Sequence, residues 1–236
     1  MSTSCKMVYL IRRRDGVSRE ELVAHWFANH MPGVIRAMDL ARSKGAPHAT
    51  RYIATLFDPI EGGYPWDGMA QLWWDSPPTA PAEPHGTKPA DTFQQKAAPY
   101  VPWATREHVL VDGELPVEPL TLNDPFPCTR SGFYKVIFLL PKKPGVIYEE
   151  FLECWRSVHV PVVLSAMQQS GGFRYCFSES LDPDNAPWAG MAELYFPDQP
   201  AARTFLSLVP PDEFQNYYDR DNRLMLGSVT EMVGIP

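Results

Sequence analysis

The sequence predicts an α+β protein made of two β-α-β-β-α-β repeats in one chain. Three observations support this fold class: an internal duplication, strands that are apolar on both faces, and a helix with a clear start signal. Residues 6–32, KMVYLIRRRDGVSREELVAHWFANHMP, align without a gap with residues 135–161, KVIFLLPKKPGVIYEEFLECWRSVHVP, at an offset of 129 (Lys6 to Lys135). A duplication of this length implies that one supersecondary unit occurs twice.

The duplication continues beyond this stretch, with small changes of offset that loops would absorb. The matched residues are Trp26, His30 and Pro32 with Trp155, His159 and Pro161, then 65–70 with 187–192, and Phe93-Gln94 with Phe214-Gln215. We therefore predict a first repeat at 1–113, a proline-rich linker at 114–130 and a second repeat at 131–236, each repeat of ordinary domain size.

The first strand of each repeat is predicted to be buried on both faces. In 6–11 both alternating sets of side chains are apolar, Met7 and Ile11 on one face and Val8 and Leu10 on the other. This pattern is typical of a strand covered on both sides. Further strands are predicted at 51–57, 68–74 and 108–111, and at 173–178, 190–196 and 229–233.

The first helix begins at a capping box formed by Ser18 and Glu21. Leu22, Trp26 and His30 then share one helical face. Proline disfavours the helical conformation in the residue before it, so we expect the helix to end near His30, where the helix dipole favours a protonated imidazole. The second helices are predicted at 92–98, and at 201–208 with 212–224.

The loop at 76–90, SPPTAPAEPHGTKPA, contains five prolines and is predicted to be an irregular surface loop that acts as a lid. Each repeat then forms an antiparallel sheet with helices on one face. Because the strands are apolar on both faces, we expect the two sheets to pack face to face. The chain would be an intramolecular pseudo-dimer, with a further homodimer left open.

Composition narrows the function classes. The 236 residues are 44% hydrophobic with a net charge of -7 and scattered basic residues, which disfavours nucleic-acid binding. No apolar run approaches the ~20 residues that span a bilayer, and no leader pattern is visible, so we expect a cytoplasmic protein with no membrane partner. The four cysteines form no metal-binding spacing, and Cys154 is expected to be a buried thiol.

The combination of a strand, a basic turn with Gly, S-R-E-E and W-x-x-x-H-x-P resembles the EthD-type family of dimeric α/β barrels. It occurs at Trp26, His30 and Pro32 and again in the second repeat. The resemblance implies two ferredoxin-like repeats closed into one pseudo-dimeric α/β barrel, with a hydrophobic pocket between sheet and helices. The superfamily includes cofactor-free monooxygenases, isomerases, cyclases and haem enzymes, so the reaction stays open.

The resemblance makes His30 and His159 the main catalytic candidates, and we add His48. An imidazole at a pocket could move a proton to or from a carbonyl or phenol. The alternative is that His30 only ties the helix end to the next strand. Five of the six histidines precede the linker, so we place the chemistry in the first repeat.

Aromatic residues are expected to form the core, and a subset to line a slot for a flat apolar ligand. Arg51, like Arg174, either holds a substrate carboxylate or forms a surface ion pair. The candidate substrate-binding residues are Tyr9, Trp26, Arg51, Tyr52, Trp66, Trp73, Phe138, Trp155, Tyr175 and Trp188.

We expect no cofactor and no protein-bound metal. His25 and His30 lie about 140° apart on a helix, and no phosphate loop or dinucleotide motif is present. The leading hypothesis is a cofactor-independent isomerase, lyase or monooxygenase acting on a small hydrophobic carbonyl compound. The alternatives are a non-catalytic binding or accessory protein for a hydrophobic metabolite or partner oxygenase, and a haem protein with His30 as ligand.

Overall fold

A computed structural model describes residues 5–59, 65–115 and 127–236. The strands are β1 Cys5–Ile11, β2 Ala49–Leu56, β3 Gly68–Trp74, β4 Trp103–Asp112, β5 Cys128–Arg130, β6 Tyr134–Leu140, β7 Arg174–Ser180, β8 Gly190–Phe196, β9 Leu224–Ser228 and β10 Thr230–Ile235. The α-helices are α1 Arg19–His25, α2 Met31–Ser43, α3 Thr92–Lys96, α4 Tyr148–Cys154, α5 Val160–Ser170 and α6 Gln199–Leu208. The mixed α+β composition is confirmed.

The described residues form two compact units. Unit 1 contains residues 5–59, 65–104, 127–131 and 230–236, and unit 2 contains residues 105–115 and 132–229. The strand order is β5-β10-β2-β3-β1 in unit 1 and β4-β7-β8-β6-β9 in unit 2, and these neighbours are antiparallel.

Each unit includes a strand from the other predicted repeat. In unit 1, β10 pairs with β2, so that Met232 lies opposite Ala54. In unit 2, β4 pairs with β7, so that Thr105 lies opposite Ser180. A strand at the edge of a sheet exposes unpaired backbone N–H and C=O groups. The pairings with β10 and β4 provide hydrogen-bond partners for one edge of β2 and of β7, the second strand of each predicted repeat. The predicted repeats at 1–113 and 131–236 stay a prediction, because the two compact units divide the chain at other positions.

The end of the chain differs from the predicted helix at 212–224 and strand at 229–233. Only Glu213–Asn216 forms a helical turn, of the 3-10 type, and two strands, β9 and β10, follow it. The side chain of Asp219 accepts hydrogen bonds from the backbone amides of Asp221 and Asn222. Such local bonds offer the backbone an alternative to a helix, which explains the early end.

Part of the predicted linker is ordered into a strand. Residues 128–130, at its end, form β5 and pair with β10. Residues 116–126 of the linker, like residues 60–64 of the loop before β3, lie outside the described part of the chain.

The prediction that the first strands are buried on both faces is confirmed. Met7 and Val8, which point to opposite faces of β1, are 4% and 1% exposed. The corresponding pair on β6, Val136 and Ile137, is equally inaccessible.

The prediction that the first helix ends near His30 is wrong. The capping box is confirmed, since Ser18 Oγ accepts a hydrogen bond from the Glu21 amide at 3.1 Å. However, Met31 is helical, with φ -56° and ψ -47°, and its N–H bonds to the carbonyl of Trp26 in a π turn at 26–30. The wider turn accommodates Pro32, which lacks an N–H, near the start of α2. No helix terminus therefore lies at His30.

The large indole rings fit against the sheet because glycines lie beneath them. Trp26 and Trp155 are fully buried. A Cβ placed on Gly68 would lie 3.2 Å from the Trp26 ring, and one on Gly190 would come closer to the Trp155 ring than van der Waals contact allows. The glycine in each predicted copy of the P-W-x-G-M-A segment thus provides space for the helix to approach.

The four cysteines are free and buried, and burial raises the pKa of the Cys154 thiol. Among the described helices, none has the length and apolar character needed to cross a membrane.

We expect Gly190→Ala to lower the free energy of unfolding by roughly 1–3 kcal/mol, because its methyl group overpacks the Trp155 ring. Urea denaturation measures this. The matched control is Gly33→Ala in α2, where a Cβ meets nothing within 4 Å; it should be stabilising by roughly 0.5–1 kcal/mol. Equal stability of Gly190→Ala and the unmodified protein would contradict the packing argument.

Candidate active site

Each unit contains a cavity between its sheet and its helices. Cavity A, in unit 1, has a volume of about 270 Å³ and cavity B, in unit 2, about 250 Å³. Cavity A is lined by Tyr9, Ile11, Trp26, His30, Val34, Met38, Tyr52, Ala70, Leu72, Trp74, His85, Phe93, Gln94 and Tyr100. Cavity B is lined by Phe138, Leu140, Trp155, His159, Val163, Tyr175, Ala192, Leu194, Phe205, Leu206, Val209, Pro210, Pro211, Phe214, Gln215, Tyr218, Arg220, Arg223 and Met225.

His30 is held in cavity A by a carboxylate. Its Nδ1 lies 2.6 Å from Oδ2 of Asp91, the N-cap residue of α3, whose Oδ1 accepts a hydrogen bond from the Gln94 amide. The imidazole also packs against Phe93, with ring centroids 4.5 Å apart. Within the described residues, His30 Nε2 has no hydrogen-bond partner, so this nitrogen is available to a ligand in the cavity.

The same arrangement occurs in cavity B. His159 Nδ1 lies 2.6 Å from Oδ2 of Asp212, whose Oδ1 accepts a hydrogen bond from the Phe214 amide. The His159 ring packs against Phe214 at 5.1 Å. Each carboxylate therefore both caps a helical turn and orients an imidazole.

The electrostatics of Asp91 favour its ionised form. Burial acts to raise the pKa of the Asp91 carboxyl, but the hydrogen bonds from His30 and from the Gln94 amide outweigh burial, and its pKa is lowered. An ionised carboxylate on Nδ1 holds the imidazole with Nε2 toward the cavity and stabilises the ring when it takes up a proton. The partner of His30 is thus on a helix, and not on the next strand as the structural alternative supposed.

Three tyrosines in cavity A stay protonated. Burial raises the pKa of Tyr9 and Tyr52, and raises that of Tyr100 to about 12. The Tyr52 hydroxyl accepts a hydrogen bond from Trp26 Nε1 at 2.9 Å, and the Tyr100 hydroxyl accepts one from Gln94. In the described structure the Tyr9 hydroxyl has no partner, so it can donate to a ligand oxygen.

A second imidazole reaches cavity A from the proline-rich loop. The His85 backbone pairs with Tyr100 through hydrogen bonds of 2.9 and 3.0 Å, and its ring stacks on Tyr100 at 5.5 Å. Arg14 anchors the loop by donating to the carbonyl of Gly86 at 2.9 Å. Burial lowers the pKa of His85, and the nearby charge of His30 lowers it further, so His85 is neutral at pH 7.

The structure brings together part of the predicted site. Tyr9, Trp26, His30 and Tyr52 line cavity A, and Phe138, Trp155, His159 and Tyr175 line cavity B. The predicted residues that line neither cavity are His48, Arg51, Trp66, Trp73 and Trp188.

Local contacts account for some of the residues outside the cavities. His48 Nδ1 lies 3.0 Å from the carbonyl of Ala46. The Arg51 guanidinium lies over the Trp73 ring at 5.4 Å. The indole N–H of Trp188 is buried and has no hydrogen-bond partner in the described structure.

Sequence reasoning missed Asp91, Asp212 and His85. A signal for both aspartates was present, because each stands two residues before the matched Phe-Gln pair. No comparable signal marks His85, since its position depends on how the irregular loop folds back on Tyr100.

The size of cavity A and the arrangement of metal-binding side chains bear on the alternatives of a haem and of a protein-bound metal. Cavity A, at about 270 Å³, lies just below the ~300–1,000 Å³ typical of pockets for drug-sized ligands. Within residues 5–59, 65–115 and 127–236, no group of three or more His, Cys, Asp or Glu side chains is arranged to hold a metal ion.

We expect NMR titration to give a His85 midpoint below its ordinary value of 6.5. His30→Gln should raise this midpoint but not restore 6.5, because burial, the larger cause, remains. Burying the neutral form of His85 contributes to the free energy of unfolding. This contribution is complete above pH 6.5, the ordinary pKa of histidine, and is lost as the pH falls through the lowered pKa of the folded state.

His25→Gln is the matched control, because His25 lies outside cavity A and bonds to Thr92. It should leave the His85 midpoint unchanged. A midpoint at or above 6.5 in the unmodified protein would contradict the burial of His85.

No protein-family model and no curated protein sequence matches the chain. Similar solved structures include a provisionally named monooxygenase from Lactobacillus acidophilus NCFM, 10% identical, covering 97% of this chain and 94% of that one, with a TM-score of 0.50. A provisionally named chlorite dismutase is 12% identical, with coverages of 98% and 95% and a TM-score of 0.51. Chlorite dismutase from Candidatus Nitrospira defluvii, in complex with imidazole, is 8% identical, with coverages of 96% and 91% and a TM-score of 0.54. The fold is therefore similar to that of ferredoxin-like dimeric α/β barrel proteins.

Proposed function

We propose that this protein is an enzyme that uses His30 in cavity A to deprotonate a small hydrophobic carbonyl compound without a cofactor. The observation that carries the proposal is the 2.6 Å contact between His30 Nδ1 and Asp91 Oδ2, which leaves Nε2 without a partner among the described residues. A carboxylate on one ring nitrogen and a free second nitrogen are the features of an imidazole placed for general base catalysis.

The proposed step moves one proton. His30 Nε2 takes a proton from the carbon next to the substrate carbonyl, and the electron pair of that C–H bond moves onto the carbonyl oxygen to form an enolate. Tyr9, which stays protonated, donates a hydrogen bond to this oxygen. Asp91 stabilises the imidazolium that results. Hydrogen-bond donors directed at developing negative charge are a major source of catalysis.

The enolate is a shared intermediate of several reaction classes. Returning the proton at another carbon gives an isomerase, loss of a neighbouring group gives a lyase, and reaction with dioxygen gives a cofactor-free monooxygenase. The enzyme names of the structural neighbours support an enzyme, and the monooxygenase name supports the third class.

We infer that the chain is an EthD-type tandem duplication that closes into a pseudo-dimeric α/β barrel without a partner. Support comes from two recurring contacts. The indole of Trp26 donates to Tyr52 at 2.9 Å and that of Trp155 donates to Tyr175 at 3.4 Å, and each unit has its own histidine-aspartate pair. A small hydrophobic ligand is the partner that the largely apolar cavity A suits, and association into a homodimer is compatible with this arrangement.

The test measures deuterium exchange of 2-tetralone, a small flat aromatic ketone, in D₂O by proton NMR. We expect the protein to accelerate exchange next to the carbonyl, and His30→Gln to reduce the acceleration by about 10²-fold or more, the usual contribution of an acid-base group. Asp91→Asn should also reduce it, because the ring loses its ionic partner.

His25→Gln, a histidine outside cavity A, serves as the matched control and should retain full exchange. Equal exchange by the unmodified protein and His30→Gln would rule out His30 as the base. Binding of 2-tetralone without any acceleration would instead support the non-catalytic binding protein.

A further inference from the structure

Cavity B carries charge that cavity A lacks. Arg220 and Arg223 line cavity B, whereas no arginine or lysine is among the residues lining cavity A. Arg223 Nη1 donates to the Tyr218 hydroxyl at 3.1 Å, which draws this guanidinium toward the cavity wall.

Both guanidinium groups are available to a ligand. Within the described residues, neither Arg220 nor Arg223 lies within 4.0 Å of a carboxylate. The neighbouring carboxylate of Asp219 is occupied by the Asn222 side chain at 2.7 Å and by backbone amides. Two arginines without acidic partners at one cavity favour an anion.

The arginines distinguish the two predicted repeats. Phe93-Gln94 and Phe214-Gln215 are offset by 121 residues, and the same offset separates the starts of β4 at Trp103 and β9 at Leu224. At this offset Arg220 and Arg223 correspond to Pro99 and Pro102. The cationic groups are therefore specific to cavity B.

The remaining lining of cavity B is suited to an apolar ring. Phe138 corresponds to Tyr9 at the offset of 129. Cavity B therefore has a phenyl ring without a hydroxyl group at the position where cavity A has the tyrosine hydroxyl that lacks a partner. Trp155 and Phe214 both line the cavity, and their rings pack together with centroids 5.2 Å apart and planes tilted by 33°. A ligand for this cavity needs an apolar body and one negatively charged end.

We propose that cavity B is a separate binding site for a small aromatic carboxylate, whose ring packs against Trp155 and Phe214 and whose carboxylate is bound by Arg220 and Arg223. The fork of donors on a guanidinium matches the two oxygens of a carboxylate. The site is independent of the chemistry assigned to His30.

Binding is tested with 2-naphthoate and with its neutral analogue 2-naphthylmethanol by isothermal titration calorimetry at low salt. We expect 2-naphthoate to bind about tenfold or more tightly than the alcohol, and Arg220→Gln/Arg223→Gln to remove this preference. Arg203→Gln is the matched control, because Arg203 lies on α6 outside the cavity and contacts Gln199.

Methionine methyl groups report which cavity is occupied. Met225 lines cavity B and Met38 lines cavity A. In protein labelled with ¹³C at the methionine methyls, 2-naphthoate should shift the Met225 signal by the ring current of the aromatic ligand. A shift of Met38 alone would overturn the proposal, as would unchanged affinity in the double arginine variant. Competition by inorganic phosphate as strong as that by 2-naphthoate would overturn the assignment of an aromatic ligand.

Discussion

The fit of Trp26 between a glycine and a tyrosine is the constraint on which the candidate site depends. The indole is fully buried, Gly68 gives it space against β3, and its N–H is satisfied by the Tyr52 hydroxyl at 2.9 Å. These contacts fix the rotation of the helix relative to the sheet. The π turn that starts at Trp26 then carries His30 into cavity A. A shift of the Trp26 indole would move the His30 imidazole away from Asp91, because Trp26 and His30 lie within the same π turn.

The histidine-aspartate pair combines structural and chemical tasks. Asp91 caps α3 through one carboxylate oxygen and binds His30 through the other. The residue that starts α3 is therefore also the hydrogen-bond partner of the imidazole. The structural alternative raised from the sequence is therefore compatible with catalysis, since the contact uses Nδ1 and leaves Nε2 toward the cavity. The π turn is consistent with this view, because such turns occur frequently at functional sites.

The two cavities share this framework and differ in their polar groups. Cavity A has neutral donors, Tyr9 and the uncharged His85. Cavity B has Phe138 in place of Tyr9 and arginines at its edge. The two proposed sites, one for a neutral carbonyl compound and one for an anion, therefore differ in only a few lining residues on the same framework.

The sequence by itself determined many of the elements and the burial of the first strands, because periodicity and capping can be recognised in the chain without its tertiary contacts. It predicted β3 and β8 at their observed bounds, placed Trp26 and His30 on one helical face, and selected eight residues that line the two cavities. Only the tertiary structure decided that β10 pairs with β2, that the helix continues through Pro32, that Asp91 binds His30, and that His85 lines the same cavity as His30. The strand pairing and the contact of His30 with Asp91 join residues more than 50 positions apart, and their energies depend on packing that no local pattern records. The π turn before Pro32 is a local contact, between Met31 and Trp26, that the usual effect of proline on the residue before it does not predict.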